Sequence, residues 1–523
     1  MNYSRKTENG VNMKKRALIS VWNKDKLIEF AQDLTEKYNY EIIATGSTFD
    51  LLKENNIKAV EISEITGNRQ LINGKVKTLY PDVFAGILAD TTNEKEKEDI
   101  DNKKIKLFDM VVVNFYPFEE AVNKKVDDTE LTNTIDIGGP SMLRAAAKNC
   151  RRVLAVSSPE QYKEVLADLE EHKGETSLDL RRKFALKVFE KTLDFDTKIL
   201  HELSDRFEED SENYFSLNIK KAKQLRYGEN PHQKAGIYYT NNTIDYEVLN
   251  GKELSYNNIL DAAACTNILS EFYDVSGCVI IKHNTPCGAA LGKDVEEAWK
   301  KALDCDPLSA FGGIVGFTQT VKDNLAKQLT AMFLEVIIAP DYTSGALEIL
   351  KQKKNLRVIK LNTSLQEYKN YISEEIRITP FGTLVQDSDK GELDKDKFKV
   401  VTKVKPTAEM VEDMIFAWKI AKHAKSNAIV IAKDFKTLGI GQGQTSRVDA
   451  FEIALNRACD ASKDAVAASD GFFPAIDNIQ VAAQGRIAAI IQPGGSIKDE
   501  EVINTANKYN IAMITTGIRH FRH

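Results

Sequence analysis

From Arg16 onward the hydrophobic positions fall into two patterns that take turns. Short, mostly apolar runs, Ala17-Leu-Ile-Ser-Val21, Glu41-Ile-Ile-Ala44 and Met110-Val-Val-Val-Asn114, read as strands. Between them, Lys24 to Tyr38 and the stretch from Ser47 carry helical periodicity. This alternation predicts a doubly wound parallel sheet over residues 13–157. From Pro159 to about Asn213 the pattern turns helical and strongly charged, with Arg181-Arg-Lys-Phe-Ala-Leu-Lys-Val-Phe-Glu-Lys191 as an amphipathic core, so 158–215 reads as a helical connector. Alternation resumes beyond Ser216. Gly277-Cys-Val-Ile-Ile281 is an apolar strand, Val295 to Leu303 a helix, Asn427-Ala-Ile-Val-Ile-Ala432 a second such strand and Val448 to Cys459 a second helix. The recurrence predicts a diverged internal duplication, with α/β subdomains at 216–375 and 376–523, spaced by roughly 150 residues and so unlike a solenoid. In that alignment Gly439-Ile-Gly-Gln-Gly-Gln-Thr-Ser-Arg447 replaces the turn His283-Asn-Thr-Pro286, and Ser469-Asp-Gly-Phe-Phe-Pro474 echoes Ser309-Ala-Phe311.

Candidate chemistry collects where the predicted strands end. Lys282 and His283 follow an apolar strand and precede turn-forming Asn284, Pro286 and Gly288, an arrangement that presents reactive groups at a sheet edge. A cation beside an imidazole favours its neutral, proton-accepting form. The same dipeptide also reads as a solvated lysine and a capping histidine. In the first half, Ser20 and Lys24 flank one strand-to-helix turn, and Thr45-Gly46-Ser47-Thr48 opens a helix with hydroxyls and N–H groups that suit a phosphate, or serve as a plain N-cap. Gly67 to Pro81 is a glycine-punctuated loop carrying Lys75 and Lys77, Tyr116 follows a strand, and Asp136 precedes two glycines and a helix bearing Arg144 and Lys148 on one face. Lysines, a phenol and a carboxylate around a phosphate pocket suit addition to a carbonyl followed by loss of water. Gly439-x-Gly-x-Gly443 lacks the glycine spacing of a dinucleotide fingerprint and reads as a close approach to a flat ligand ending in Arg447.

The composition narrows the choice. The chain has 523 residues, too many for one core, with 42% hydrophobic and 28% charged residues and a net charge of −6. That balance argues against a nucleic-acid binder, and no run approaches the roughly 18 apolar residues of a membrane helix. Met1 to Met13 is polar and reads as neither signal peptide nor fold. The six cysteines, at 150, 265, 278, 287, 305 and 459, form no C-x-x-C pair, which predicts reduced thiols in a cytoplasmic protein and no zinc site. Pro286-Cys287 does look like the start of the P-C-x-x-C zinc signature of nucleobase deaminases, but Ala290 stands where the second cysteine belongs and no H-x-E precedes it. A deaminase-like fold here has lost its metal. The last residues, Arg519-His-Phe-Arg-His523, follow a strand-like Ile511 to Thr516 and read as a tail leaving a core, or as a frayed or added end.

Six segments, Gly74-Lys-Val-Lys-Thr-Leu79, Asp136-Ile-Gly-Gly139, Leu225-Arg-Tyr-Gly-Glu-Asn-Pro-His-Gln233, Ile281-Lys-His-Asn-Thr-Pro-Cys-Gly288, Gly441-Gln-Gly-Gln-Thr-Ser-Arg447 and Arg519-His-Phe-Arg-His523, together resemble one family. It is the bifunctional purine biosynthesis family that joins aminoimidazole carboxamide ribonucleotide formyltransferase to inosine monophosphate (IMP) cyclohydrolase, and the resemblance runs from Lys14 to His523 in family order. It implies a methylglyoxal-synthase-like cyclohydrolase sheet first, then two cytidine-deaminase-like subdomains without zinc. Further implications are 10-formyltetrahydrofolate as formyl donor and a homodimer that shares its formyltransferase sites. Carried over by position, Lys77, Tyr116, Asp136 and Lys148 match the cyclohydrolase site, with Ser20, Lys24, Thr45, Gly46, Ser47, Thr48 and Lys75 around the phosphate. Lys282 and His283 match the formyl-transfer pair and Asn427 the support for the formyl oxygen, while Arg226, Tyr227, Arg447, Phe472, Arg519 and His523 match nucleotide contacts. Glu335 matches an acidic residue facing the folate, and Asp470 a structural potassium site. Lys75 stands where many members carry arginine, and Tyr80, Phe84 and Cys150 where many carry histidine, so no imidazole role extends to those three positions. Two other classes fit parts of the pattern: a folate- or nucleotide-binding regulatory protein, which needs the Arg and Gly loops but not Lys282-His283, and a zinc-dependent deaminase, which Ala290 disfavours.

Overall fold

In a computed structural model the described residues are 14–68, 71–72, 74–207, 216–217, 219–239, 243–371 and 374–523. The polar Met1–Met13 leader and the end of the predicted connector, 208–215, lie outside them. The chain divides into two compact units, Met1–Asn218 and Ile219–His523.

The first unit is built on five parallel strands, β1 (Arg16–Val21), β2 (Glu41–Ala44), β3 (Ala59–Glu61), β4 (Met110–Asn114) and β5 (Leu154–Val156), in the order β3-β2-β1-β4-β5. Both faces of this sheet are covered, which is why its strands read as near-continuous apolar runs. Met110 and Val112 enter one buried cluster, and Val111 and Val113 enter the cluster on the other face. Helix Leu178–Phe207 packs onto the same sheet through Leu180, Phe184, Ala185, Val188 and Phe195. The first-unit strand ends at one edge therefore bring together Ser20, Thr45 and Asn114.

The second unit carries a two-stranded ribbon, β6 (Lys220–Leu225) with β7 (Ala235–Tyr239), and a twelve-stranded sheet. The sheet's strands are β8 (Tyr246–Asn250), β9 (Gly277–Lys282), β10 (Thr285–Leu291), β11 (Ile314–Phe317), β12 (Val336–Ala339) and β13 (Arg357–Leu361), then, beyond a hairpin of β14 (Glu374–Thr379) and β15 (Gly382–Asp387), β16 (Lys399–Val400), β17 (Ile429–Lys433), β18 (Lys436–Gly441), β19 (Val466–Ser469), β20 (Ala489–Gln492) and β21 (Ala512–Thr515). Their order, β16-β21-β20-β19-β17-β18-β10-β9-β11-β12-β13-β8, is a palindrome about the antiparallel β10–β18 seam. The internal duplication is thus written in the topology. One face holds a single buried cluster fed by both halves, including Val279, Ile314, Val430 and Val466, with helices Tyr256–Ser270 and Ala408–His423 packed on it. The other face holds two separate clusters, one per half.

The topology corrects the expected alignment of the two halves. The partner of the His283-Asn284 turn is Asp434-Phe435, because Lys282 pairs Thr285 across the first turn as Lys433 pairs Lys436 across the second. Ser469 to Pro474 begins at the last residue of β19, whereas Ser309 to Phe311 precedes β11, so these two segments are not counterparts either. The glycines of Gly439-x-Gly441 lie against a helix. A Cβ on Gly439 would stand 2.0 Å from the Ala454 carbonyl oxygen, and one on Gly441 1.8 Å from that of Ala450, so they let helix Arg447–Ala458 lie directly on β18.

Candidate active sites

In the first unit the edge formed by the carboxyl ends of β1, β2 and β4 carries the groups expected to bind an anion, at the place where open α/β sheets bind ligands. Thr45 donates through Oγ1 to Ser20 Oγ at 2.8 Å, and Lys24 Nζ reaches Thr48 Oγ1 at 3.1 Å and the Val21 carbonyl. Burial lowers the Lys24 ammonium's affinity for its proton, and the charge of nearby Lys77 lowers it further. Two ammonium groups that repel each other across one edge leave a place for an anion. Asp136 stands at the other side. Burial pushes its carboxyl above the ordinary aspartate range, against the Gly139 N–H bond of 2.8 Å, the Lys77 charge and the Tyr116 N–H. Burial also raises the Tyr116 phenol, with the Asp136 charge adding to it. Asn114 Oδ1 accepts from the Trp22 and Asn23 N–H groups at 2.6 and 2.8 Å, fixing the loop that stacks Trp22 edge-on to Tyr116 with ring centres 5.2 Å apart.

The structure brings Lys24, Lys77, Tyr116 and Asp136 together but not Lys148 or Lys75. Lys148 is the exposed last residue of helix Gly138–Lys148, about 15 Å along the axis from its start. Lys75 bonds Asn133 Oδ1 at 3.1 Å on the surface. Tyr80 and Phe84 pack against the core.

In the second unit the strand directions gather a different set at one edge of the long sheet: the end of β9, the starts of β11, β12 and β17, and the ends of β18 and β19. Half-buried Lys282 donates to the Phe311 carbonyl at 2.9 Å, beside the paired rings of Phe311 and Phe333, while His283 is exposed at φ 51°. Across the seam Gln442 Nε2 donates to the Pro286 carbonyl at 2.9 Å, tying the two halves at this point. Asn427 is held firmly: its Nδ2 donates to the Gln444 carbonyl at 2.9 Å and its Oδ1 accepts from Arg447 at 2.7 Å. Arg447 in turn donates to Ser469 Oγ at 2.9 Å and to the buried Asp470 carboxylate.

Asp470 therefore orients Arg447. Its oxygens also take the Ser426 hydroxyl and the Ala428 N–H. Glu335 pairs with Arg357 at 2.7 Å. Partly exposed Phe472 follows Asp470, and the C-terminal tail returns to the same edge, where Arg522 N–H bonds Ser426 Oγ at 3.1 Å and the His520 N–H bonds the Asp470 carbonyl at 2.9 Å. Arg519 stacks on Phe521 and His523 accepts from Arg377 at 2.6 Å through its backbone oxygen. Arg226 and Tyr227 pair with each other in the turn after β6 at 5.3 Å. Cys287 donates weakly to the Ile280 carbonyl, and burial pushes its thiol up to about 12. Among the described residues no group of three or more His, Cys, Asp or Glu could hold a metal ion, and no helix is long and apolar enough to cross a membrane. Sequence reasoning missed Asp261, Ser426 and Gln444. The only signal for Asp261 is a lone acid inside the apolar run Ile259-Leu-Asp-Ala-Ala-Ala-Cys265.

Two α/β units in one chain, each collecting ionisable groups at one sheet edge, define a bifunctional enzyme. An MGS-like domain model matches residues 26–141 and the AICARFT/IMPCHase bienzyme model matches residues 146–457. Proteins named "Bifunctional purine biosynthesis protein PurH" are similar along nearly the whole length. That of Caldicellulosiruptor saccharolyticus is 46% identical over 520 residues, 98% of this chain and 100% of its own. That of Brachyspira hyodysenteriae is 47% identical over 523 residues, with the same coverage of both chains. The chain belongs to the AICARFT/IMPCHase bienzyme family, as its motifs led us to expect, and catalyses the last two steps of IMP synthesis, formyl transfer and ring closure.

Proposed function

We propose that formyl transfer takes place at the Lys282–His283 edge of the second unit and ring closure at the Lys77–Tyr116–Asp136 edge of the first. The observation that carries the first assignment is the convergence of an exposed imidazole, a tethered lysine and an anchored amide, Asn427, at one edge of one sheet. The amine of the aminoimidazole carboxamide nucleotide is a weak nucleophile. His283 accepts its proton as it attacks the formyl carbon, and Lys282 with Asn427 stabilises the oxygen that gains charge. The donor is 10-formyltetrahydrofolate, whose flat ring system suits the Phe311–Phe333 pair beside Lys282, and Glu335 flanks the same strand starts. Arg447, Phe472, Arg519 and His523 border that edge and bind the nucleotide, with Arg226 and Tyr227 as further contacts. At the other edge Lys77 and Tyr116 polarise the formyl oxygen while Asp136 takes a proton. Ser20, Lys24, Thr45, Gly46, Ser47 and Thr48 hold the phosphate.

The protein works in the cytoplasm as a homodimer. Support for a second copy comes from helix Leu178–Phe207, whose Leu186, Leu193 and Leu200 recur every seven residues and are 67%, 62% and 40% exposed. Leu193→Glu should shift the protein toward monomer in sedimentation; an unchanged dimer would remove this face from consideration. The catalytic assignment is tested by His283→Ala, which should lower formyl transfer by at least ~10²-fold while ring closure of the formylated nucleotide persists. Equal loss of both activities in a folded variant would overturn the two-site reading.

A further inference from the structure

The turn that carries His283 is held from below. His283 and Asn284 have φ of 51° and 63°, in the left-handed region that non-glycine residues seldom enter. Two such residues in succession make the two-residue turn between β9 and β10, and neither is the glycine that favours this conformation, so a tie from outside the turn fixes its path. That tie comes from Asp261 on helix Tyr256–Ser270, whose Oδ1 accepts the Asn284 N–H at 2.6 Å.

The second half repeats the device. Asp434 and Phe435 occupy the matching turn with φ of 53° and 54°, and Asp413 on helix Ala408–His423 accepts their N–H groups at 2.9 and 2.8 Å. Lys433 donates to the Lys463 carbonyl at 3.3 Å as Lys282 does to that of Phe311 at 2.9 Å. A helix carboxylate closing a left-handed hairpin is thus a repeated part of the fold, and only the first copy has an imidazole on it.

We propose that Asp261 is a positioning residue for formyl transfer: by holding the Asn284 N–H it sets the path of the turn and hence where His283 presents its ring beside Lys282. The proposal rests on the assignment of Lys282 and His283 as the reacting pair.

The test compares full-length variants in separate assays of formyl transfer and of ring closure. Asp261→Ala should lower kcat of formyl transfer by ~10- to 100-fold, the scale of a small misplacement of a reacting group. The KM for the nucleotide should stay within about 2-fold, since binding contacts are untouched, and ring closure should not change. Asp261→Asn keeps an oxygen for the Asn284 N–H and should recover kcat to within about 3-fold. Asp413→Ala removes the same tie from the hairpin without an imidazole, so it should lower the melting temperature but leave kcat within about 2-fold. Wild-type kcat in Asp261→Ala, or an equal kcat loss in Asp413→Ala, would overturn the proposal. Should Asp261→Ala fail to fold, Asp261→Glu moves the acceptor by one methylene: slower transfer than Asp261→Asn supports positioning, and equal rates oppose it. His283→Ala separates the two claims. If it transfers formyl groups normally, the reacting pair itself is wrong; if it is inactive while Asp261→Ala is not, only the positioning role falls.

Discussion

Tyr116 and Asp136 share a half-dry edge in which burial holds both protons more tightly than water would. For a group that must accept a proton this sets the working range. Ring closure through Asp136 needs the ionised carboxylate, so the rate should fall as pH drops through a value above the ordinary ~3.9 of aspartate. Asp136→Asn should abolish that acid limb and lower kcat by at least ~10²-fold. A limb that persists in the variant would assign it to another group. Asp470 makes a different prediction, about stability. It is 1% exposed and paired with an Arg447 that is 6% exposed, so Asp470→Asn strands a guanidinium in the interior and should destabilise the second unit by about 3–5 kcal/mol, read from urea unfolding.

Gly441 shows how far an element's packing can be hidden in its sequence. With the Ala450 carbonyl oxygen 1.8 Å from the position of an added Cβ, Gly441→Ala must push helix Arg447–Ala458 off β18 and should cost at least about 1–3 kcal/mol in thermal or urea unfolding. Glycine spaced for a helix and glycine spaced for a flat ligand look alike in one dimension, so the packing of Gly439 and Gly441 on a helix is not legible from their spacing. The strands themselves were legible, because burial on both faces leaves runs such as Met110 to Asn114 apolar throughout. Lys282 and His283 were legible for the opposite reason: polar groups ending an apolar run stand out. Asp261 was not, since its purpose is to hold a backbone N–H that no sequence pattern marks. Lys148 illustrates a third case. Its motif places it near Asp136 in sequence, yet the rise of the intervening helix carries it away from the cluster within one chain.

The duplication makes the second unit a single structure rather than two. Across it, Glu271 from the first half meets Lys422 at 2.9 Å and His423 at 3.1 Å from the second, all largely buried. Burial works against ionising Glu271, but the His423 hydrogen bond and the Lys422 charge outweigh it and hold the carboxyl well below the usual carboxylate range. Such a group stabilises the fold above its unfolded value of ~4.3 and loses that contribution as pH falls toward the folded value. Glu271→Gln should therefore lose about 3–5 kcal/mol near neutrality and show a flatter decline than the wild type below pH ~4.3. Parallel decline in both would place the acid sensitivity elsewhere.

The β10–β18 seam also limits how this chain could be divided. Cut in the exposed stretch between β15 and β16, the two pieces would stay joined along the seam and through the apolar cluster that both halves fill. Made alone, either piece would present an open strand edge and half of a dry face to every other copy in solution, the conditions for aggregation. Nicking and truncation at the same point thus have opposite outcomes: one leaves a working shape, the other a precipitate.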